Sequence, residues 1–405
     1  MKKININCIV FAAVSVFIIV GLCGNTIPRM NEIAKETISG LLHSDTSSVN
    51  RLTDNIDEAT SKKLSYHGTL MDINSIKENL LGTRIIKKDD TTIIKSDSGS
   101  LGALHSTRLS DKEIADITFS VKKLQKIAED NDSGFLYCAA PAKEQYESFP
   151  TNIHSYKTEN YESFLNSLKE NQIPCLDFSI ALSDNGLTGH DAFFYTDHHW
   201  KPNTGLIASK TICEELGSRY GFEYYDEYTD IQNYNIENYP DFFLGSYGKK
   251  VGTYFSWYGA DDFELITPKF RTDLIEEQPL KNEIRQGSFE DTVLFLDNMK
   301  KDYYNVTPYA TYSGGDFRLQ IIKNNLNPDG KKILLIRDSF AGVVSPFLSL
   351  QTSELHICDM RNFEYFVGDK INVEDYIKKI KPDYVIVLYS GISGLDNTDG
   401  RYDFF

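Results

Sequence analysis

The stretch FFYTDHHWKPNTG, from Phe193 to Gly205, sets Asp197, His198, His199 and Trp200 together just ahead of a run with helical spacing. Only eight histidines occur in the chain, so two in succession beside a carboxylate call for a chemical account. Three chemistries fit. A carboxylate can fix the tautomer of an imidazole, which then takes the proton of a hydroxyl nucleophile. Neutral imidazoles can bind zinc. Or Asp197 caps the following helix and the histidines are satisfied in the interior. Asp197 and His199, two apart on a loop, can project to one side. No second His/Cys cluster completes a metal shell, His190 and His356 being isolated, so neither a metal nor a diffusible cofactor is expected.

The hydroxyl that such a pair needs lies about 140 residues on. Ser339 follows the apolar run ILLIRD and precedes FAGVVSPFLSL, a strand-to-helix junction. That position exposes the side chain and turns backbone N–H groups toward a developing oxyanion. A serine there is most often only an N-cap, and the G-x-S-x-G elbow is absent.

Elements with parallel-sheet character surround these residues. GFLYCAAPA, IPCLDFSIAL, KKILLIRDS, SELHICDM and PDYVIVLYSG read as strands, and helical patterns alternate with them. Apolar strands alternating with helices imply a parallel sheet covered on both faces, an α/β three-layer sandwich. Ligands of such sheets gather at the carboxyl ends of the strands. Pro141–Lys143, Asp197–His199, Asp338–Ser339 and Tyr389–Ser390 all fall there. Arg361 and Lys143, also near strand ends, are candidate substrate or acetyl contacts. SDKEIADITFSVKKLQKIAED carries a capping box, Ser110 with Glu113, and KDD in RIIKKDDTTIIKS sits where a hairpin turn belongs. Residues from about 222 to 330 are Tyr-rich without clean periodicity and read as an insertion, whose aromatics suit a binding surface.

The remaining signals bound the setting. A net charge of −16 without any Lys/Arg run excludes nucleic acid as a partner. Lys2 and Lys3 precede an apolar run from Ile4 to Gly24, long enough to cross a bilayer as a helix, with the lysines cytoplasmic. Residues 1–25 are therefore expected to be a signal-anchor, cleavage of a signal peptide being the competing reading. Residues 26–65 are expected to be a polar stalk, and residues 66–405 the functional domain outside the cytoplasm. Cys138, Cys175, Cys213 and Cys358 lie far apart in apolar segments and read as buried hydrophobes, not as a disulfide framework.

YTDHHWKPNTG, LLIRDSFAGVVSPFLSLQTSELHICDMRNF and FLGSYGKKVG together resemble the DHHW proteins. These are relatives of the alginate O-acetyltransferase proteins AlgJ and AlgX, within the SGNH-hydrolase-like group. The resemblance spans the chain from about residue 66. It implies a circularly permuted SGNH-like fold, with the aspartate and histidine ahead of the serine. It also implies Ser339 as nucleophile, His199 as general base and Asp197 as its orienting carboxylate. His198 takes the variable position between them, a choice that spacing alone does not make. The oxyanion glycine and asparagine of SGNH enzymes have no counterpart. The Ser339 N–H, with Tyr389 or Ser390, stands in. The activity implied is O-acetylation of a secreted or cell-wall polysaccharide through an acetyl-serine, fed by a membrane-bound O-acyltransferase. A carbohydrate acetylesterase with the same triad, and an inactive glycan-binding scaffold, are the alternatives.

Overall fold

Four strongly apolar runs form the middle of one sheet, and alternation along each of them divides its side chains between two cores. The structure, a computed structural model, describes residues 67–150, 153–390 and 394–405. The chain divides into two units, residues 1–78 and 79–405. Residues 67–78 of the first unit belong to helix α1 (His67–Leu80). The apolar run Ile4–Gly24 and the expected stalk lie outside the described residues. Among the described residues no helix is long and apolar enough to cross a membrane.

In the second unit, β1 (Ile85–Lys88), β2 (Thr91–Lys95) and β3 (Leu101–Ala103) form a small antiparallel sheet. Asp89 turns the first hairpin with φ of 52°, a conformation that Asp tolerates better than most residues. Helix α2 (Asp111–Asp130) begins with both arms of the Ser110/Glu113 capping box formed. Then come β4 (Gly134–Ala140), α3 (Lys157–Glu170), β5 (Cys175–Asp177), α4 (Phe178–Asp184) and α5 (Pro202–Tyr220). IPCLDFSIAL is thus a strand only over three residues. Asp177 caps the Ser179 N–H and turns FSIAL into helix.

The Tyr-rich region holds β6 (Tyr234–Phe243), α6 (Ser246–Val251), β7 (Asp261–Pro268), β8 (Leu274–Gln278), β9 (Glu283–Gly287), α7 (Phe289–Thr292) and β10 (Leu319–Asn324). The last elements are β11 (Lys332–Arg337), α8 (Ser345–Ser349), β12 (Glu354–Asp359), α9 (Val373–Ile380) and β13 (Tyr384–Ser390). FAGVVSPFLSL is not one helix. A 3₁₀ turn at Ser339–Val343 precedes the short α8.

The main sheet has the order β5-β4-β13-β11-β12-β10-β8-β9. The first five strands run parallel, and β10, β8 and β9 pair antiparallel. The region expected to be an insertion therefore supplies three strands of the sheet itself. Because successive strand residues face opposite sides, Phe135, Tyr137, Val385 and Val387 pack with α2, α3 and α9. Leu136, Cys138, Ile386 and Leu388 pack with α4, α5 and α8 on the other side. Helices thus cover both faces. Of the six cysteines, the four among the described residues are free, with Cys138, Cys213 and Cys358 buried and Cys175 partly so.

Candidate active site

β11 ends at Arg337, and the chain breaks from the sheet at Asp338. The Asp338 carboxylate caps the Phe340 N–H at 3.0 Å. Its other oxygen accepts from the Ser390 N–H at 2.8 Å, the Ser390 hydroxyl at 2.9 Å and Arg401 Nη1 at 2.8 Å. Burial opposes its charge, but Arg401, Arg361 and these bonds hold its pKa below the usual carboxylate value. The ends of β11 and β13 are thereby tied together, and Ser339 is left partly exposed at their tip. The Ser339 N–H donates to no backbone carbonyl among the described residues.

The DHHW residues lie on a short loop closed by an antiparallel bridge between Phe193 and Trp200. Four groups hold it. The buried Lys143 ammonium donates all three of its hydrogens to carbonyls, those of Phe194 (2.7 Å), Tyr195 (2.8 Å) and Asp197 (2.9 Å). Desolvation lowers its pKa to about 8, against the pull of Asp261 and Glu144. Asp261 accepts from the Tyr195 N–H at 2.6 Å and the Thr196 N–H at 2.9 Å. The turn entering α6 adds the Gly245 N–H on Thr196 Oγ1 (2.8 Å) and the Ser246 N–H on Asp197 Oδ2 (2.5 Å). Trp200, fully buried, donates from Nε1 to the Phe340 carbonyl at 2.7 Å and so pins the loop to the serine turn.

These constraints align three side chains. His199 Nδ1 lies 2.6 Å from Asp197 Oδ1, and His199 Nε2 lies 2.7 Å from Ser339 Oγ. The Asp197 carboxylate also accepts the His199 N–H at 2.9 Å, so it can only pair with a protonated Nδ1, leaving Nε2 to accept the serine proton. Desolvation would raise the Asp197 pKa, but the two imidazoles and the Ser246 N–H hold it well below the usual value. Tyr309 stacks on the His199 ring, centroids 4.2 Å apart and planes 18° from parallel. His198 Nδ1 bonds Ser246 Oγ at 2.9 Å and lies 3.4 Å from Asp197 Oδ1. Desolvation and His199 lower its pKa to about 4, although water reaching a third of its side chain works against full desolvation.

Asp197, His198 and His199 could converge on a metal, their ligand atoms lying within 4.8 Å. Both oxygens of Asp197 and the Nδ1 atoms of both imidazoles are already hydrogen-bonded within the protein. Lys143 and Arg361 are placed inside the scaffold. Arg361 forms paired bonds with Asp359 (2.9 and 2.5 Å) and reaches Asp316 at 2.9 Å. Tyr389 donates its hydroxyl to the Arg401 carbonyl at 2.8 Å, and Ser390 is engaged by Asp338. Of the oxyanion donors suggested by the sequence, Tyr389 and Ser390 are therefore engaged elsewhere, whereas the Ser339 N–H is not. Asp261, Tyr309 and Arg401 carry no motif, and nothing local in the sequence marks them. Ser246 lies within FLGSYGKKVG, where residue type alone gives it no role.

A cleft of about 580 Å³ opens beside His198 and Phe340, walled by Thr91, His105, Glu144 and Tyr247. Glu144 is paired with Lys157 at 2.7 Å in that wall.

Residues 108–231 match the family model described as an SGNH hydrolase-like domain, acetyltransferase AlgX. The matched stretch contains Asp197 and His199 and stops before Ser339. Among solved structures, Bacillus cereus PatB1 is similar, with 19% identity and a TM-score of 0.62 over 78% of this chain and 100% of that one. A PatB1 structure with a sulfonyl adduct aligns at 0.60 over 77% and 99%, also at 19% identity. A DHHW family protein from Eubacterium siraeum is 16% identical, with a TM-score of 0.58 over 79% of this chain and 96% of that one. No curated protein matches the chain. The resemblance read from DHHW is thus met by a family model over that stretch, and the fold by a solved DHHW family protein.

Proposed function

We propose that this protein is an extracytoplasmic O-acetyltransferase acting on hydroxyls of a secreted or cell-wall polysaccharide. The observation that carries the reading is the unbroken line Asp197–His199–Ser339, with links of 2.6 and 2.7 Å. Ser339 Oγ attacks the acetyl carbonyl as its proton passes to His199 Nε2. The imidazolium then protonates the leaving group, and the acetyl group stays on Ser339. In the second half a sugar hydroxyl attacks the ester, gives its proton to His199, and Ser339 recovers its own. Asp197 holds Nδ1–H throughout and stabilises the imidazolium. The Ser339 N–H is the oxyanion donor we assign. The reading needs neither metal nor diffusible cofactor.

The AlgX-type match supports acetyl transfer, and the order Asp–His–Ser along the chain supports a circularly permuted SGNH arrangement. Residues 1–25 would anchor the chain in the membrane, and a membrane-bound O-acyltransferase would deliver the acetyl group. Hydrolysis is the second reading, favoured by a cleft wide enough to admit water beside the partly exposed His198.

The PatB1 adduct suggests the probe. A sulfonyl fluoride should label the wild-type chain on Ser339, seen by peptide mass spectrometry, and leave Ser339→Ala unlabelled. With p-nitrophenyl acetate as donor and an oligosaccharide present, acetylated sugar is expected. Acetate alone would assign the hydrolase reading, and an unreactive Ser339 would leave the inactive scaffold.

A further inference from the structure

On the antiparallel side of the main sheet, the end of β8, residues 314–319 and the loop after β12 enclose a cavity of about 270 Å³. Its rim is aromatic. Tyr365 is 64% exposed there, beside Phe366 and Phe317. Phe363 stacks on Tyr365 at 5.1 Å and 17°, which holds the exposed ring in place. Folding gains nothing from leaving such surface in water, and exposed apolar patches mark binding sites more often than chance.

The wall is polar. Gln278 and Arg318 are more than nine-tenths buried, yet Gln278 Oε1 and Arg318 Nε have no hydrogen-bond partner. Orphaned buried polar atoms are costly. Both residues belong to the wall, but these two atoms are closed off from solvent, and the polar groups nearer the opening are those of Lys281 and Asp316. The fixed charges are largely committed. Asp316 is paired with Arg337 and Arg361. The Arg318 Nη1 serves the carbonyls of Asp359 and Arg361, and its guanidinium lies over Phe366 at 4.7 Å. Lys281 lies over Phe317 at 4.2 Å. Such a site favours a neutral ring with an apolar face for the aromatics and a hydroxyl edge, donor and acceptor at once, for the wall.

We propose that this cavity is a subsite for one neutral sugar unit of the polymer, separate from the cleft beside His198. It rests on the polysaccharide reading above, and binding without turnover tests it separately. The full-length chain bearing Ser339→Ala is titrated with N-acetylchitohexaose, xylohexaose, cellohexaose and mannohexaose, followed by saturation-transfer NMR. At least one should bind, and adding Tyr365→Ala should weaken its affinity by about tenfold with the melting temperature unchanged. The proposal is overturned if none of the four oligosaccharides binds, or if Tyr365→Ala leaves the affinity as it was. Loss of ester cleavage in Ser339→Ala reports on the acetyl-serine alone.

Discussion

At the residue scale the site turns on Asp197, whose two oxygens receive the His199 N–H, His199 Nδ1 and the Ser246 N–H. Replacing the carboxylate by an amide puts an NH₂ donor or a weaker acceptor against Nδ1, so the imidazole can take the wrong tautomer. Asp197→Asn should lower kcat by about 10³- to 10⁴-fold with little change in KM, measured with p-nitrophenyl acetate. The same carboxylate makes the fold sensitive to acid. Burial opposes its charge, but His198, His199 and the Ser246 N–H depress its pKa in the folded state, while the unfolded chain titrates near 3.9. The folded state then binds fewer protons than the unfolded one. The stability gained is complete above the unfolded value and disappears as pH falls through the folded value. Urea midpoints measured from pH 7 downward should therefore drop less steeply below about pH 4 in Asp197→Asn than in wild type.

At the element scale, the DHHW loop is positioned by chain that comes long after it. Gly245 sits where a Cβ would lie 2.6 Å from both Cα and N of Asp197, so the turn into α6 presses directly on the loop backbone. Gly245→Ala forces the two apart and lengthens the Ser246–Asp197 bond. It should cost about 1–3 kcal/mol in urea unfolding and slow acylation of Ser339 by a sulfonyl fluoride. Gly205 makes the matching contact on the other side, its absent Cβ leaving room for Val343 at 2.7 Å, which brings α5 up to the serine turn.

The contrast between elements explains what could be read beforehand. The apolar runs of β4, β11, β12 and β13 announce buried strands, and the Ser110/Glu113 box announces α2, because local composition and period decide both. The placement of Ser339 at the end of β11 could be read for the same reason, whereas Asp197 and His199 sit on a loop between α4 and α5, and only tertiary packing brings them to Ser339. Strands β8 and β9, LIEEQ and EIRQG, are short and polar, and only the pairing of β8 with β10 and of β9 with β8 makes them part of the sheet. Asp261 grips Thr196 from 65 residues away, and no local pattern encodes that distance. Their position at strand ends marks Lys143 and Arg361 as candidate ligand contacts in the sequence. Their burial against carbonyls and carboxylates is set by the tertiary packing, which residue type does not reveal.

At the scale of the whole molecule, Ser339 is tied to the last stretch of the chain. Asp338, one residue before Ser339, is 1% exposed, and Arg401 meets it at 2.8 Å while also pairing with Asp399. The tail is held in turn by Tyr402, whose hydroxyl meets that of Tyr137 in β4 at 2.9 Å, and by the Phe404 carbonyl, which accepts the Val373 N–H at 2.9 Å. Arg401→Met keeps much of the side-chain volume but strands a buried carboxylate. Breaking a buried pair from one side costs about 3–5 kcal/mol, far more than an exposed pair is worth. Asp338 can then relax only by taking up a proton or by turning outward, and turning outward releases the Phe340 N–H and the end of β13. Both routes disturb Ser339. Arg401→Met should therefore lower the urea midpoint and reduce kcat together. Arg401→Lys, which keeps the charge without the fork, should recover most of the stability and only part of the rate. Equal recovery of both would mean that the charge alone matters, and that the geometry of the tail does not reach the serine.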